Sequence, residues 1–256
     1  MATCRERLGA GETLFGTFVT LNDPDLVELI GYAGLDFAVI DCEHGPYGNE
    51  AVGDLARACR AGGLHTVVRV PTNDDWLINK ALDVGAEAVL VPQIDSLESA
   101  RRAAAAAKYA PLGHRGASPF TRASAFSVRG GPDYYARANA ETMLILGVEG
   151  VSGAAAFADM AKLENVDGFF IGPVDLSHSL GVPAQIDHPM VIGKIREMIA
   201  LARAHGKPVG VFANNVQRAR DWVEAGAQFI PYGVDIGIIC GAFRGLVAEL
   251  KAQVRT

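Results

Sequence analysis

The sequence predicts a (β/α)8 TIM barrel, in which a closed ring of eight parallel strands is surrounded by helices. The chain has 256 residues, the usual length of one such barrel. Eight short apolar runs alternate along it with segments of helical composition, and glycine-containing turns precede several runs, as in LDVGAEAVLV and VEAGAQFIPY. A doubly wound sheet usually has fewer strands and a switch point, so the barrel is favoured. We expect one domain over residues 1–256.

The first half of the chain supplies four predicted strands. The first is Leu14–Val19, and the segment Asp23–Asp25 then opens a helix, since an Asp cap followed by proline is a typical helix start. Leu26, Leu29 and Ile30 are expected to form the apolar stripe of that helix. The elements that follow are the strands Phe37–Ile40, Thr66–Val70 and Ala88–Pro92 and the helices Asn49–Arg60, Asp74–Leu82 and Ser99–Tyr109.

The second half contains the other four strands. Met143–Val148 and Gly168–Ile171 flank the predicted helix Ala154–Leu163 and form a βαβ unit with it. The remaining elements are the strands Pro208–Phe212 and Phe229–Tyr232 and the helices Met190–Ala204, Gln217–Ala225 and Ile238–Val254. Between the halves, residues 111–132 are rich in Gly, Pro and Ser without a sustained period. A loop this long is usually functional or mobile, and we interpret it as a lid or an oligomer contact.

Composition limits the class of partner. The net charge is −6, from 29 acidic and 23 basic residues without a basic block, so a nucleic acid partner is not favoured and small-molecule chemistry fits better. No apolar run reaches the roughly 18 residues of a membrane helix, and no membrane association is expected. The cysteines Cys4, Cys42, Cys59 and Cys240 lack a CxxC spacing, which predicts reduced thiols and a cytoplasmic location.

Two acidic residues follow neighbouring strands of the βαβ unit. Glu149 comes directly after Met143–Val148, and Asp175 lies in the loop after Gly168–Ile171. Parallel strands end at the same edge of a sheet, so the two carboxylates are expected to lie side by side and to share either a proton or a cation. The alternative is that Asp175 only caps the short helix LSHSL and Glu149 only meets solvent.

Further charged residues follow other strands and are expected at the same face of the barrel. They are Asp41, Glu43 and His44 after strand two, Arg69 in strand three and Asp235 after strand eight. Buried carboxylates without a counter-charge are costly, so a cation is expected among them. Oxygen ligands favour a hard divalent ion such as Mg²⁺ or Mn²⁺, held by two protein ligands with water and substrate supplying the rest.

Two of these residues have both a catalytic and a structural interpretation. His44 lies three positions after Asp41, whose carboxylate could orient the imidazole for general-base catalysis, but a loop histidine can also be purely structural. Arg69 could stabilise negative charge on a carbonyl oxygen or simply pair with Glu43 or Asp41. No lysine is expected in the barrel mouth, which disfavours a Schiff base. The segment VFANN after strand seven is no glycine-rich phosphate loop.

Several segments together resemble the HpcH/HpaI family of metal-dependent class II pyruvate aldolases. They are DFAVIDCEHGPYGNE, VVRVP, DVGAEAVLVPQIDSLESA, GVEGVSG, GFFIGPVDLSHSLG and GVDIGII, and the resemblance covers roughly residues 12 to 250. It implies a (β/α)8 barrel of the phosphoenolpyruvate/pyruvate type, with the last helix exchanged between subunits of a homohexamer, a trimer of dimers. It also implies cleavage of the C3–C4 bond of a 4-hydroxy-2-oxo acid to pyruvate and an aldehyde.

The resemblance also implies roles for individual residues. Glu149 and Asp175 look like the ligands of Mg²⁺, Mn²⁺ or Co²⁺, and the backbone of Gly172, Pro173 and Val174 would receive the substrate carboxylate. The implied catalytic residues are His44 as proton acceptor, Asp41 as its partner, Arg69 as the stabiliser of the transition state and Asp83 as an acid that raises the basicity of the histidine, from the same subunit or across a subunit boundary.

This chain departs from the family pattern at two positions, with Gly147 in place of a common Gln and Val174 in place of a common Ala. The loss of the Gln amide bears directly on substrate identity. Two alternatives therefore stay open beside the aldolase. One is an oxaloacetate decarboxylase or a citryl- or malyl-CoA-type lyase that uses the same site. The other is a non-catalytic protein that binds a 2-oxo acid.

Overall fold

The computed structural model describes residues 2–46 and 48–254, and it confirms the predicted barrel. Eight strands pair in parallel in sequence order, and the last pairs with the first to close the ring. The strands are β1 (Leu14–Val19), β2 (Phe37–Asp41), β3 (His65–Arg69), β4 (Ala88–Val91), β5 (Met143–Val148), β6 (Gly168–Ile171), β7 (Val209–Val211) and β8 (Phe229–Val234). Every strand therefore ends at the same face of the barrel.

One or two helices follow each strand, and α1 precedes β1. In chain order they are α1 (Cys4–Gly9), α2 (Pro24–Tyr32), α3 (Asn49–Ala61), α4 (Asp75–Asp83), α5 (Leu97–Ala107), α6 (Tyr134–Glu141), α7 (Val151–Met160), α8 (Pro173–Ser179), α9 (Pro189–Ala204), α10 (Val216–Ala225) and α11 (Asp235–Gln253). None of these helices, within the described residues, is both long and apolar enough to cross a membrane.

The helices α1 and α6 were not predicted from the sequence. The short helix α1 starts with a capping box between Thr3 and Glu6 and buries Cys4 and Leu8 against the amino-terminal end of the barrel interior. A helix of six residues has too few turns to produce a detectable apolar period. The predicted stripe of α2 was also partly wrong, because Leu29 is 60% exposed.

The barrel interior is closed at its amino-terminal end by aromatic packing. The rings of Phe37 and Phe229 stack with their centroids 3.9 Å apart, and Gly16 lies directly beside Phe37. A Cβ atom at Gly16 would overlap both the carbonyl oxygen and the ring of Phe37. A residue without a side chain is therefore required where β1 passes β2.

The last helix leaves the barrel instead of covering it. Asp235 is the only buried residue of α11, and the apolar side chains of Phe243, Leu246 and Leu250 are more than half exposed. The strands that this helix would cover also remain partly open, since Phe15 of β1 is 42% exposed and the last three residues of β8 are half-buried. Within one subunit, the apolar side chains of α11 therefore do not pack on the barrel, and the strands β1 and β8 are not covered by a helix.

We expect Gly16→Ala to lower the free energy of unfolding by roughly 1–3 kcal/mol, because the new methyl group overpacks the β1–β2 contact. The matched control is Gly53→Ala in α3, where nothing lies within 4 Å of the added carbon and where alanine should stabilise the helix by about 0.5–1 kcal/mol. Urea unfolding followed by circular dichroism measures both. Equal midpoints for the two variants would contradict the packing argument.

Candidate active site

A cleft of about 730 Å³ opens at the carboxyl ends of the strands. It brings together most of the residues that the sequence predicted for the site. Those that line it are Asp41, His44, Arg69, Glu149, Gly172, Pro173, Val174 and Asp175. Among the described residues that line the cleft there is no lysine. The titratable side chains in the lining are carboxylates, one guanidinium and one imidazole.

Arg69 is fixed at the base of the cleft by two carboxylates. The β2–β3 register places it opposite Asp41, and its Nε and Nη2 donate to the two carboxylate oxygens of Asp41 at 2.8 and 2.7 Å. Its Nη1 lies 2.9 Å from Oε2 of Glu43, and the guanidinium carbon lies 4.6 Å from the centroid of the Phe18 ring. Burial lowers the pKa of Arg69, but the carboxylates of Asp41, Glu43 and Glu149 raise it by more than burial lowers it. The pKa therefore lies above its ordinary value, and the guanidinium stays charged.

The surroundings of Glu149 disfavour the ionised form of its carboxyl group. The residue follows β5 and is 6% exposed. Burial, with the added repulsion of Glu43 and Asp175, raises the pKa of Glu149 to about 7, although Arg69 and the backbone of Gln93 act in the opposite direction. Near neutral pH the carboxyl group is therefore divided between its two protonation states. The alternative that Glu149 only meets solvent is wrong.

Asp175 lies in the first turn of α8, which begins at Pro173. The N-cap of this helix is Gly172, which makes no side-chain capping bond, so the alternative that Asp175 merely caps the helix is also wrong. Gly172 leaves room for its neighbour, since a Cβ atom there would lie 3.1 Å from Cγ and 3.3 Å from Oε1 of Glu149. The exposed Asp175 carboxylate and the buried Glu149 carboxylate thus share one side of the cleft.

This carboxylate pair fits a divalent cation. The pKa of Glu149 is raised first by burial and then by the repulsion of Glu43 and Asp175, so a cation next to it would stabilise the ionised form. Among the described residues, no group of three or more His, Cys, Asp or Glu side chains is arranged to hold a metal, so water or substrate would have to complete the coordination. Cys42 is not a thiolate ligand, because burial and Asp41 raise the pKa of its thiol to about 12.

His44 is the most exposed of the predicted catalytic side chains, with 65% of its side chain accessible. Its Nε2 lies 3.9 Å from Oε2 of Glu43. Asp41 contacts this residue through the backbone, where the N–H groups of Glu43 and His44 donate to Oδ1 of Asp41 at 3.1 and 3.3 Å. The carboxylate therefore shapes the loop that carries the imidazole.

Two of the predicted acidic residues do not belong to the carboxylate pair of the cleft, because one lies outside the cleft and the other is hydrogen-bonded within the fold. Asp83, at the carboxyl end of α4, is outside the residues that line the cleft and accepts a hydrogen bond of 2.9 Å from Nη2 of Arg115. Asp235 is buried and accepts four hydrogen bonds, from Thr20 N and Oγ1, Leu21 N and Ile236 N. Asp235 is therefore a structural residue and not one of the carboxylates available to a cation.

Sequence reasoning missed Gln93 and an aromatic wall. The Gln93 backbone has a φ of 56°, a left-handed conformation that is uncommon for this residue, and its Nε2 donates to Oε1 of Glu43 at 2.8 Å. Its position directly after the run AVLVP was the available signal. The wall consists of Phe18, Phe170 and Phe212. The ring centroid of Phe18 lies 5.7 Å from that of Phe170 and 6.1 Å from that of Phe212.

Gly147 has a steric reason. A Cβ atom there would lie 3.0 Å from the Cα atom of Pro92 and 3.1 Å from the carbonyl oxygen of Val91. A side chain at position 147 would therefore require the adjacent backbone of Val91 and Pro92 to move by a few tenths of an ångström. Where the family commonly has Gln, this chain thus has Gly147 at a point where β4 and β5 lie close together.

A carboxylate pair and a fixed guanidinium at the carboxyl end of a closed barrel define an enzyme cleft for a small anionic substrate. Residues 14–242 match the HpcH/HpaI aldolase/citrate lyase family. The chain is 34% identical over 250 residues, 97% of both proteins, to a hydroxypyruvate/pyruvate aldolase of Roseobacter denitrificans. It is 37% identical over 243 residues to a 5-keto-4-deoxy-D-glucarate aldolase of Salmonella paratyphi A, covering 95% of this chain and 93% of the relative.

A solved structure gives the same answer. A HpcH/HpaI aldolase/citrate lyase family protein from Burkholderia cenocepacia superposes with a TM-score of 0.91 and 33% sequence identity, covering 96% of this chain and 98% of the other. The chain belongs to the HpcH/HpaI aldolase/citrate lyase family. It is a carbon–carbon lyase of the aldolase type.

The raised pKa of Glu149 predicts a change in stability with pH. Its folded pKa of about 7 exceeds the ordinary value of 4.5, so the stability contribution of the protonated form is complete below about pH 4.5 and is lost as the pH rises through 7. Without metal at pH 8, we expect Glu149→Gln to raise the free energy of unfolding by on the order of 2–3 kcal/mol. At pH 4.5 the variant and the wild type should unfold together.

Thermal unfolding with a chelator present measures this difference, and Glu141→Gln, at a side chain 58% exposed, is the control. Mn²⁺ should then raise the Tm of the wild type and leave that of Glu149→Gln almost unchanged. Identical Tm values for the wild type and Glu149→Gln at pH 8 would show that this carboxylate carries no uncompensated charge.

Proposed function

We propose that the protein is a divalent-metal-dependent class II pyruvate aldolase. It would cleave the C3–C4 bond of a 4-hydroxy-2-oxo acid to give pyruvate and an aldehyde, or form that bond in the reverse reaction. The observation that carries the proposal is the buried, under-compensated Glu149 beside Asp175, facing the guanidinium of Arg69 across one cleft. The relatives named as aldolases of 2-oxo acids support the same class of reaction.

Glu149 and Asp175 are the residues that would hold the ion. Oxygen donors suit Mg²⁺ or Mn²⁺, and Co²⁺ is compatible with the same ligands. A bound divalent ion would act as a Lewis acid that polarises the 2-oxo group. The N–H groups of Val174 and Asp175, in the first turn of α8, lack partners within the helix and would bind the substrate carboxylate beside Gly172 and Pro173.

The proposed steps of the reaction use the remaining side chains of the cleft. His44 takes the proton from the C4 hydroxyl, the C4 carbonyl forms as the C3–C4 bond breaks, and the aldehyde leaves while the bonding electrons stay with the enolate of pyruvate. The proton then returns to C3 to give pyruvate. Arg69 donates hydrogen bonds to the 2-oxo oxygen as negative charge develops there, in an orientation that Asp41 and Glu43 already fix. Asp41 also holds the loop that carries His44. The aromatic wall of Phe18, Phe170 and Phe212 would exclude water from the reacting carbons.

The proposed assembly is a homohexamer, a trimer of dimers, in which α11 is exchanged between subunits. Two exposed surfaces support this assembly, the apolar side of α11 and the flank formed by β1 and β8. The helix of one subunit would cover the flank of its neighbour and bury its own apolar side chains there. Asp83 would act on the His44 of a neighbouring subunit. The loop 111–132, with Phe120 and Val128 at 72% and 87% exposure, would lie at a subunit contact. A cytoplasmic location stays a prediction, supported by four free cysteines.

We expect Glu149→Ala and Asp175→Ala each to abolish metal-stimulated pyruvate release, because each removes one of the two proposed protein ligands. Pyruvate formation from a panel of 4-hydroxy-2-oxo acids with Mn²⁺ measures the activity, and electron paramagnetic resonance of free Mn²⁺ measures binding. Asp159→Ala, on the exposed side of α7, is the control and should retain both. Full activity of the wild type after treatment with a chelator would exclude the metal-dependent mechanism.

We expect Arg69→Lys to reduce kcat roughly 10²–10³-fold with a smaller effect on KM, because lysine cannot reproduce the planar contacts to Asp41 or the donors aimed at the 2-oxo oxygen. Steady-state kinetics with the best substrate of the panel tests this. The same assay with oxaloacetate and Mg²⁺, against a metal-free control, distinguishes the alternatives. Pyruvate from oxaloacetate alone would favour a decarboxylase, and unchanged kcat in Arg69→Lys would remove the proposed role of the guanidinium.

A further inference from the structure

The lining of the active cleft divides into two halves of different chemistry. The charged half lies at the ends of β2, β3, β5 and β6, and its titratable side chains are Asp41, His44, Arg69, Glu149 and Asp175. The apolar half comes from β6, β7, β8 and β1 and the segments that follow them, and its side chains include Phe18, Leu21, Phe170, Phe212, Val234 and Ile236. Because the ring of strands is closed, the two halves lie on opposite sides of one mouth.

Part of the apolar half is accessible to a ligand. Leu21 is 38% exposed and Ile236 is 50% exposed, although both line the cleft. Phe212 and Val234 are half-buried beside the fully buried Phe18 in the same lining. Accessible apolar surface inside a cleft gains free energy when another apolar group covers it. This half of the cleft therefore favours a hydrocarbon group.

The apolar half offers little to a charged or hydroxylated group. In the part of the lining that the structure describes, Arg69 is the one Lys or Arg side chain, and it is already paired with Asp41 and Glu43. Thr20 contributes a hydroxyl to the lining, but that hydroxyl donates to Oδ1 of Asp235 at 2.7 Å. A carboxylate placed in this half would lose hydration without gaining a cation, and a hydroxyl group would lose hydrogen bonds to water.

The proposed reaction directs the aldehyde part of the substrate to the apolar half. The carboxylate pair and Arg69 hold the pyruvate part in that reaction, and His44 takes the proton from the C4 hydroxyl. His44 follows β2, which pairs with β1 in the ring. The substrate chain beyond C4 leaves the charged half, and the lining that continues past β1 carries Leu21 and Ile236.

We propose that the aldehyde made or consumed by this enzyme is a hydrocarbon aldehyde, with neither a second carboxylate nor hydroxyl groups. Leu21 and Ile236 are the specificity-determining contacts for its chain. The inference rests on the proposed aldolase reaction, because that reaction fixes which part of the substrate meets the apolar half. It adds the chemistry of the aldehyde, which the carboxylate pair and Arg69 do not select.

The test compares matched aldehydes in condensation with pyruvate in the presence of Mn²⁺. Butanal and 4-oxobutanoate differ only in a terminal methyl or carboxylate group, and propanal and glyceraldehyde differ only in hydroxyl groups. We expect kcat/KM to be about 10²-fold higher for butanal than for 4-oxobutanoate, and about tenfold higher for propanal than for glyceraldehyde. From propanal to pentanal, each methylene group should lower KM about threefold. Equal kcat/KM values for butanal and 4-oxobutanoate, or a KM independent of chain length, would overturn the inference.

Leu21→Arg should weaken the preference for an uncharged aldehyde, because a guanidinium in the apolar half gives the carboxylate of 4-oxobutanoate a partner. We expect kcat/KM to rise about tenfold for 4-oxobutanoate and to fall for butanal, and Ile236→Arg is a second variant in the same half. The matched control is Leu29→Arg, on α2 at a side chain 60% exposed and outside the lining, which should change neither value. If both cleft variants are folded by circular dichroism and keep the wild-type ratio, the assignment to Leu21 and Ile236 is wrong.

Binding of uncleavable analogues separates this inference from the proposed function. The acids 2-oxoheptanoate and 2-oxoheptanedioate lack the C4 hydroxyl and differ only in a terminal methyl or carboxylate group. Calorimetric titration with Mn²⁺ present should give a Kd at least about tenfold lower for 2-oxoheptanoate. If the wild type cleaves no acid of the panel and condenses no aldehyde, the proposed function has failed, and the ratio of these two Kd values still decides the inference. Equal values, or tighter binding of 2-oxoheptanedioate, would refute it.

Discussion

The contacts of Arg69 with Asp41 and Glu43 set the electrostatics of the whole barrel mouth. One guanidinium forms ion pairs with two carboxylates, and its attraction for a third acid, Glu149, does not offset the burial of that group and the repulsion of Glu43 and Asp175. The remaining negative charge on Glu149 and Asp175 is what a divalent ion or a shared proton must neutralise. A single ion-pair network therefore fixes the proposed hydrogen-bond donor for the substrate beside two carboxylates that a cation would suit.

This arrangement places a cost at the functional site that the rest of the fold must offset. A buried carboxylate with a raised pKa destabilises the metal-free protein at neutral pH, and a non-glycine residue in a left-handed conformation, Gln93, adds local strain beside it. The tightly packed barrel tolerates both, since the strands around the site are buried on all sides. Binding of a cation would recover part of that cost, so ligand and stability are linked.

The same barrel mouth is joined to the surface of the molecule by Asp235. A carboxylate in that position could have belonged to the catalytic set, but its four hydrogen bonds use it to lock β1 to α11. The helix α11 therefore leaves the barrel in a defined direction, with its apolar side chains unpaired within the subunit. Leu21 and Ile236 line both the active cleft and a groove along α11.

The sequence by itself determined the barrel, most strand positions and the face on which the polar residues gather. These depend on local signals, namely apolar runs bounded by Gly and Pro, and on the rule that parallel strands end at one edge. The strands Leu14–Val19, Met143–Val148 and Gly168–Ile171 agree with the structure residue for residue. Only the tertiary structure decided which acids are paired, because Asp41 reaches Arg69, Glu43 reaches Gln93 and Asp235 reaches Thr20 across separations that no local pattern records. The direction of α11 also could not be predicted from its apolar composition. An apolar helix face requires a partner surface, but the sequence does not say whether that surface belongs to the same chain.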